Sequence, residues 1–346
     1  AARRASFADR AGETLFWRDA ARELPPVLAA RRRVLDDLGQ VRCAPLPAVI
    51  GQAPVDGRAA LELAASAVVP RDRAAWSARD VRSEPSCPCE GCARSGARLI
   101  RLGEQLSLHA ANLYGAGGDP YAQASDMFRA AARLLERCGM DFRDVVRTWI
   151  HLRDIDRDYD ALNAARRDFF RDRGVALRPA STGVQGIPAA DAHDCGLSFH
   201  AVKMPRPLDV AAMSTPFLNE AWSYGADFSR GLRVVDANKI TLYVSGTASI
   251  GAAGETVHVG DFEAQAERML DNVASLLALQ RAGFDSVLSA VTYLRRASDG
   301  PVLRSLYRRR GFDAFPCAVV EAALCRPDLL CETEAVALLS DAGAEA

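Results

Sequence analysis

Two carboxylates and two thiols lie within one short segment near the end of the sequence, EAALCRPDLLCETEAVAL at residues 321–338. Its apolar alternation predicts a β-strand, in which Glu332 and Glu334 share one face. Burial in a partly apolar cleft raises the pKa of a carboxyl, which then holds a proton that it can donate. The segment therefore has the chemistry of a general acid, although a strand glutamate taken alone is more often a surface group.

The cysteines of this region fit a structural role better than a nucleophilic one. A nucleophilic thiolate needs a base such as histidine beside it, and no such pair stands out in the sequence. We expect Cys317 and Cys331 to be inert. Cys325 is either a pocket wall or a plain buried thiol, since cysteine commonly packs as a small hydrophobe.

Another group of cysteines, in the segment CPCEGC, has a spacing that can bind a metal. Cys87, Cys89 and Cys92 offer three thiolates, but a structural zinc site needs four ligands. The histidines are all distant in sequence: His109, His151, His193, His200 and His258. Because no second half of a site is evident, the pattern favours a loop with free thiols. We accordingly predict no metal and no cofactor.

Composition limits the classes of partner. The 346 residues contain 43 Lys and Arg against 44 Asp and Glu, so no summed positive field is available to hold nucleic acid or an anionic membrane. No apolar run is long enough to cross a bilayer, and the first residues lack the apolar stretch of a secretory signal. We expect a cytoplasmic globular protein that binds neither nucleic acid nor membrane.

Two long segments of the sequence are copies of each other. Residues 119–153 and 261–295 align without a gap, and about a dozen of roughly 35 positions are identical. In the second copy, apolar residues at three- and four-residue steps predict an amphipathic helix of about twenty residues that starts at Asp261, the N-cap or first-turn anion. A strand (KITLYVSGTASI) precedes this helix; a strand (SVLSAVTYLR), a helix (GPVLRSLYRRRGF) and two closing strands (AVVEAALC, CETEAVAL) follow. The sequence therefore predicts an α+β tandem, with helices packed on one face of each mixed sheet.

Four parts follow from this repeat. Residues 1–97 are an N-terminal extension without a clean copy of the unit, which could complete the first unit's sheet. Residues 98–203 are the first unit, 204–230 a long connecting segment and 231–346 the second unit. A connection of this length is usually functional or disordered, and its aromatic residues favour order.

The unit resembles the Rid/YjgF family, whose fold is the chorismate-mutase-like sandwich. The glycine turn in YVSGTASI and the closing strands in CRPDLLCETEA carry the resemblance, which covers residues from about 98 to 340. The two-unit arrangement, the SGTAS turn, PASTG in the first copy and C-R-x-x-L-x-x-E in the second resemble the chorismatases. Those enzymes cleave the enolpyruvyl ether of chorismate.

The resemblance implies roles for individual residues. Glu332 falls on the general acid and base of that subfamily. Gly246 and Cys325 fall on residues that line the ring pocket, and this pair resembles the branch that forms 3-hydroxybenzoate or a mixture of hydroxybenzoates. A substrate with two carboxylates also calls for arginine, which pairs with carboxylates in a bidentate way. The predicted substrate-binding residues are Cys325, Gly246, Tyr224, Arg230, Arg295 and Arg304; Arg326 lies near the same motif.

Two motifs depart from the family pattern. The connecting segment keeps the Tyr224–Gly225 pair, but STPFLNEAW, with Asn219, stands where chorismatases carry Asn-Pro-Arg-Gln. Pro316 is followed by Cys317, where the family has an arginine. The loss of these arginines argues against ordinary imine or enamine hydrolysis. A different substrate, or a carboxylate held from another direction, stays open.

We predict a chorismatase-like hydrolase or lyase that protonates the enolpyruvyl ether of chorismate, or of a related small carboxylate, and releases pyruvate with a hydroxybenzoate-type product. The alternative is a tandem Rid-like protein that acts on or binds another metabolite, as a tailoring enzyme or a binding module, since fold does not fix function. The end of the first copy, DCGLSFHAVKM, has no glutamate, so the first unit is expected to be non-catalytic. Related single-unit proteins are trimers, and a homodimer or homotrimer is therefore expected here.

Overall fold

The computed structural model describes residues 9–39, 45–70, 72–85, 87–190, 192–236 and 239–340, without the side chains of residues 20–23 and 224.

The N-terminal extension forms a small sheet with one helix. Strand β1 pairs in parallel with β2 and antiparallel with β3, while β4 leaves this sheet and joins the next one. The apolar side chains of Leu15, Leu24 and Val49 pack together and hold the helix on the sheet. The elements are β1 Arg10–Trp17, α1 Ala20–Asp37, β2 Ala48–Gly51, β3 Leu61–Ala67 and β4 Trp76–Arg82.

The first repeat unit is a six-stranded mixed sheet with two helices. Its elements are β5 Gly96–Leu102, β6 Gln105–Leu113, α2 Pro120–Arg137, β7 Val145–Leu152, α3 Ile155–Asp172, β8 Ala180–Gln185, β9 Ile187–Pro188 and β10 Cys195–Lys203. The strand order is β4-β5-β6-β10-β7-β8, and only the β7–β8 pair is parallel among the described strands of this sheet. The short β9 instead pairs with β2 and ties the unit to the N-terminal sheet.

The second repeat unit has the same topology. Its elements are β11 Asp209–Ala212, β12 Gly231–Asp236, β13 Lys239–Ala248, α4 Phe262–Ala278, β14 Val287–Leu294, α5 Gly300–Arg310, β15 Cys317–Glu321 and β16 Cys331–Ser340. The order β11-β12-β13-β16-β14-β15 matches that of the first sheet, with β14 and β15 parallel. The predicted α+β tandem, with helices on one face of each mixed sheet, is confirmed.

The two long repeat helices begin in the same way. The side chain of Asp119 accepts a hydrogen bond from the Ala122 N–H, and that of Asp261 accepts one from the Ala264 N–H. Each aspartate satisfies a backbone donor that the first turn of a helix leaves unpaired. The prediction of Asp261 as the N-cap is therefore confirmed, and α4 runs for 17 residues.

Two strands lie outside the unit boundaries that the sequence predicts. The first sheet takes its edge strand β4 from the N-terminal extension, and the second takes β11 from the connecting segment. Both strands are short and mostly exposed, so neither carries the apolar alternation that identifies a half-buried strand. The three sheets together surround a central cavity of about 800 Å³. No described helix is long and apolar enough to span a membrane.

Candidate active site

A cleft between the two repeat units brings together residues from both. The first unit contributes Tyr159, Leu162 and Arg166 of α3 with Ser181 and Gly183 of β8; the connecting segment and second unit contribute Phe228, Arg230, Gly246, Ala248, Ile250, Cys325, Arg326, Leu329 and Glu332. These side chains leave a space of about 30 Å³, enough for a water molecule. The cleft is therefore narrow, lined by both polar and apolar side chains, and built by the docking of one unit on the other.

Glu332 lies on the central strand β16, where backbone pairing on both sides fixes its position. It is in register with Ala248 of β13 and Tyr293 of β14. The residue is 5% exposed. Burial, followed by the nearby Glu334 carboxylate, raises the pKa of Glu332 to about 8, while Arg230 and Arg147 act in the opposite direction. A carboxyl in this setting carries a proton at neutral pH and can donate it.

Gly246 gives the carboxyl group of Glu332 the space that it occupies. A Cβ atom at this position would stand 2.1 Å from Oε1 of Glu332, a separation that no side chain can adopt. The pairing of β13 with β16 shifts register between Val244 and Thr247, so Gly246 lies in an irregular stretch of the strand. Irregularities of this kind bend a strand locally and change the direction of its residues, often near functional sites. The Gly246 N–H donates to Oγ1 of Thr182 in the first unit, at 3.0 Å.

Cys325 lines the same cleft from the loop between β15 and β16. Burial raises the pKa of its thiol to about 12, and the carboxyl of Glu332 acts in the same direction. The thiol is therefore neutral, which fits a wall of the cleft and not a nucleophile.

Arg295 positions the loop that carries Cys325 and does not line the cleft. Its guanidinium donates to the carbonyl oxygens of Leu329 and Arg326, both at 2.7 Å. The sequence predicted a substrate-binding role for Arg295. The structure gives it a different geometry, because its donors are directed at the backbone of this loop.

Three other arginines do line the cleft. Arg230 is buried and donates to the backbone and side-chain oxygens of Asn219, at 2.8 and 3.0 Å. Arg166, also buried, donates to Oδ1 of Asn163. The two guanidiniums lie 5.7 and 5.5 Å from the ring centroid of Phe228, within range of a cation–π interaction. Arg326 donates to the carbonyl oxygen of Gly254 at 2.7 Å.

Arg166 was missed by the sequence reasoning, although a signal was present. It lies at helical spacing from Tyr159, Leu162 and Phe169 on the buried stripe of α3. A charged residue on such a stripe is unusual unless it has a partner or a function. Its place in the cleft depends on the docking of the two units, which no local pattern encodes.

Two further predicted residues are not brought into the cleft by the described structure. Arg304 is exposed on α5 and does not line it. The backbone of Tyr224 ends a short 3₁₀ turn, Ala221–Tyr224, but its side chain lies outside the described part of the chain. The structure thus groups Glu332, Gly246, Cys325 and Arg230, with Arg295 behind the Cys325 loop.

Glu334 lies beside Glu332 but has a different environment. It accepts hydrogen bonds from Arg147 at 2.7 Å, from the indole N–H of Trp149 at 2.6 Å and from the Tyr293 hydroxyl at 3.3 Å. Arg147 and Trp149 belong to β7 of the first unit, so this buried ion pair joins the two units at the central cavity. Glu334 is therefore held in a salt bridge beside Glu332. The charge-assisted hydrogen bond that Arg147 donates goes to Glu334.

Comparisons with known proteins find relatives of one kind. No family model matches the chain. A 3-hydroxybenzoate synthase from Streptomyces hygroscopicus is 27% identical over 229 residues, which cover 59% of this chain and 66% of that protein. A chorismatase from Streptomyces rapamycinicus is 29% identical over 219 residues, covering 57% of this chain and 65% of that protein. The chain thus spans slightly less than two thirds of the length of each of these relatives.

A crystal structure of a chorismatase has the same fold. The two structures superpose with a TM-score of 0.66, over 95% of this chain and 93% of the other, at 19% sequence identity. The likeness includes the N-terminal extension, because it covers nearly the whole of both chains. The resemblance drawn from the sequence motifs is confirmed.

Proposed function

We propose that this chain, a chorismatase-like member of the Rid superfamily, cleaves the enolpyruvyl ether of chorismate with Glu332 as its general acid. One observation carries the proposal. The cleft between the units holds a buried carboxyl whose pKa is raised to about 8, and arginines surround it. An enol ether breaks when its methylene carbon is protonated, and a neutral carboxyl at that carbon is the group the reaction needs.

The arginines of the cleft offer positive charge to bind the two carboxylates of such a substrate. Arg166 enters from the first unit, Arg230 from the connecting segment and Arg326 from the second unit. A substrate carboxylate would thus be held from a direction other than the family's Asn-Pro-Arg-Gln element. In this chain Asn219 replaces part of that element and orients Arg230. The first unit is then a partner in substrate binding, even though it supplies no acid.

The proposed chemistry conserves all atoms of the substrate. Glu332 gives its proton to the methylene carbon and becomes a carboxylate, and an oxocarbenium ion forms at the enolpyruvyl carbon. The carbon–oxygen bond to the ring then breaks, pyruvate leaves, and a proton from the ring side returns to Glu332. Pyruvate and a hydroxybenzoate together contain the atoms of chorismate, so this product consumes no water. The Gly246 and Cys325 combination, which resembles that of the hydroxybenzoate-forming branch, supports this product over a hydrolytic dihydroxydiene.

The narrow cleft requires movement on binding. Small-molecule pockets usually have volumes of about 300 Å³ or more, whereas the present space is about 30 Å³. We infer that the substrate displaces part of the long arginine side chains that fill the cleft. The same observation supports a second candidate, an enzyme or binding module that accepts a metabolite other than chorismate.

The test is pyruvate release from chorismate, coupled to NADH oxidation by lactate dehydrogenase. The wild type should release pyruvate, Glu332→Gln should release none above background, and Glu104→Gln, which changes an exposed carboxylate between β5 and β6, should match the wild type. Chromatography with mass spectrometry identifies the aromatic product. If the wild type releases no pyruvate, the chorismate proposal fails and the second candidate, action on or binding of another metabolite, is favoured. If the wild type and Glu332→Gln release pyruvate at equal rates, Glu332 is not the general acid.

A further inference from the structure

The CPCEGC loop, between β4 and β5, meets a histidine that the sequence did not assign to it. His193 lies in the segment between β9 and β10, 101 residues beyond Cys92 in the chain. The Sγ atoms of Cys87, Cys89 and Cys92 and a ring nitrogen of His193 all lie within 4.8 Å of one another. The fourth ligand that the cysteine spacing lacked is thus supplied by the fold.

The separations are those of a single compact ligand set. The Sγ atoms of Cys87 and Cys92 are 3.5 Å apart. Nε2 of His193 is 3.3 Å from the Cys87 sulfur and 3.1 Å from the Cys92 sulfur. Zinc–sulfur bonds of about 2.3 Å and a zinc–nitrogen bond of about 2.0 Å, at tetrahedral angles, place such ligand atoms about 3.5–3.8 Å apart. For Cys87, Cys92 and His193, an outward movement of a few tenths of an ångström would give this geometry.

The surroundings orient the ligands toward one point. Nδ1 of His193 is 2.9 Å from the carbonyl oxygen of Gly115, an acceptor, so Nδ1 carries the proton and Nε2 presents its lone pair to the sulfurs. A backbone carbonyl in this position is the usual outer partner of a metal-bound histidine. The N–H groups of Cys89 and Cys92 donate to the sulfurs of Cys87 and Cys89, at 3.4 and 3.3 Å.

We propose that Cys87, Cys89, Cys92 and His193 bind one Zn²⁺ ion in a structural, tetrahedral Cys₃His site. Three thiolates and one imidazole at these separations suit a single tetrahedral ion and complete its coordination. Cys92 and His193 are buried, while Cys87 and Cys89 are half-buried, so zinc reaches the site without unfolding of the chain.

Other uses of the same four residues fit the geometry less well. A disulfide between Cys87 and Cys92 would need the sulfurs to approach from 3.5 Å to about 2.05 Å, and it would leave Cys89 and His193 without a role. A nucleophilic cysteine with a histidine base uses a single thiol, whereas three sulfurs surround this imidazole. Cys92 is also only 1% exposed, which denies a substrate access to it.

The proposed ion would join two parts of the chain that meet at the edge of the first unit. Gly91 allows the loop to approach, because a Cβ atom there would lie 2.5 Å from the Cα of Ala190. The loop precedes β5, and His193 precedes β10, so one ion would fix the segments that lead into these two strands of the first sheet. Arg153 adds to this by donating to the His193 carbonyl oxygen at 3.2 Å.

Metal content of the full chain tests the proposal. Protein prepared with a phosphine reductant is loaded with one equivalent of ZnCl₂, desalted and analysed by plasma mass spectrometry. We expect about one zinc per chain for the wild type and for Cys317→Ser, a free-thiol control outside the cluster. Cys89→Ser and His193→Gln should lose most of the metal to a chelator that leaves the wild type loaded.

A second measurement keeps the test valid if the ligand variants do not fold. X-ray absorption of the zinc-loaded wild type should give three sulfur neighbours at about 2.3 Å and one nitrogen at about 2.0 Å, and Co²⁺ should give thiolate charge-transfer bands. A folded wild type that desalts free of zinc would overturn the proposal. So would zinc bound by oxygen and nitrogen alone, or a Cys87–Cys92 disulfide that mass spectrometry detects in the reduced protein.

Discussion

Replacement of Glu332 by glutamine should stabilise the protein at alkaline pH while it abolishes proton donation. The folded chain holds the pKa of Glu332 at about 8, against an ordinary value of 4.5. At a pH below 4.5, Glu332 is protonated in both the folded and the unfolded chain. At a pH between these two pKa values, Glu332 stays protonated in the folded chain and is ionised in the unfolded chain. Ionisation of Glu332 therefore favours the unfolded state. Stability from this group is therefore lost progressively as the pH rises toward 8, and little more is lost above it.

The size of the effect follows from the two pKa values. One pKa unit corresponds to about 1.4 kcal/mol. Over an interval from about pH 5 to about pH 8.5, the wild type should lose about 4 kcal/mol of unfolding free energy through this group alone. Glutamine keeps the shape of the side chain but does not ionise. The difference in unfolding free energy, Glu332→Gln minus wild type, should thus grow by that amount across the interval.

Urea unfolding followed by circular dichroism at several pH values measures this difference. Groups that titrate in both proteins cancel in the comparison. Glu104→Gln is the matched control, since it makes the same chemical change at an exposed position outside the cleft. If the Glu332→Gln and wild-type curves run parallel, the carboxyl is not held neutral by the fold, and the argument for a general acid at this position fails.

Other changes follow from the same geometry. Cleavage of chorismate should decline above a pH of about 8, where Glu332 loses its proton, and a pH–rate profile of kcat/KM measures this. Gly246→Ala places a Cβ atom 2.1 Å from the Glu332 carboxyl oxygen and should lower kcat at least about tenfold, whereas Gly57→Ala, in open space, should not. Arg166→Lys should raise KM about tenfold, because a charge-assisted hydrogen bond is worth about 1.5–3 kcal/mol; unchanged steady-state kinetics would contradict its place in the substrate site. Asp261→Ala removes the N-cap of α4 and should cost about 1 kcal/mol in urea unfolding. The expected homodimer or homotrimer stays a prediction, which light scattering after size exclusion measures.

The sequence was sufficient for elements whose signals are local. The stripe of apolar residues after Asp261 and its capping side chain predicted α4, and the alternation in CETEAVAL predicted β16. The resemblance to the chorismatases also implied a shared pocket for Glu332, Gly246 and Cys325, and all three line the cleft. The predictions of α4 and β16 are confirmed because each rests on residues close in sequence.

The positions of several other side chains depend on contacts that the sequence does not show. Arg166 and His193 reach their partners only through contacts between segments far apart in the chain. Arg295 and Arg304 lie near recognisable motifs in the sequence, but closeness in sequence does not set where a guanidinium points. The side chain of Arg295 turns to the loop backbone, and Arg304 lies on the exposed face of α5. Long flexible side chains are placed by tertiary packing, which the residue pattern does not specify.

The repeat gives a structural reason to expect one such candidate site in each chain. Tyr293, the register partner of Glu332, corresponds to His151 in the first copy, and His151 pairs with Gly196. The first unit thus has glycine at the position of the acid. A Cβ atom on Gly196 would meet the Tyr114 ring at 2.9 Å, so that ring fills the space which a carboxyl would need.

Tyr114 also stacks on His193, with ring centroids 5.2 Å apart, and this links the filled position to the cysteine cluster. The equivalent region of the first unit is therefore occupied by an aromatic ring and the proposed metal ligands. Meanwhile the first unit places Arg166 in the cleft that contains Glu332, and its Thr182 accepts a hydrogen bond from the Gly246 N–H of the second unit. Because a proton donor gains from burial and a substrate carboxylate needs cations, the two copies can divide these tasks. The duplication would then yield a single asymmetric site, with the acid from one copy and part of the binding charge from the other.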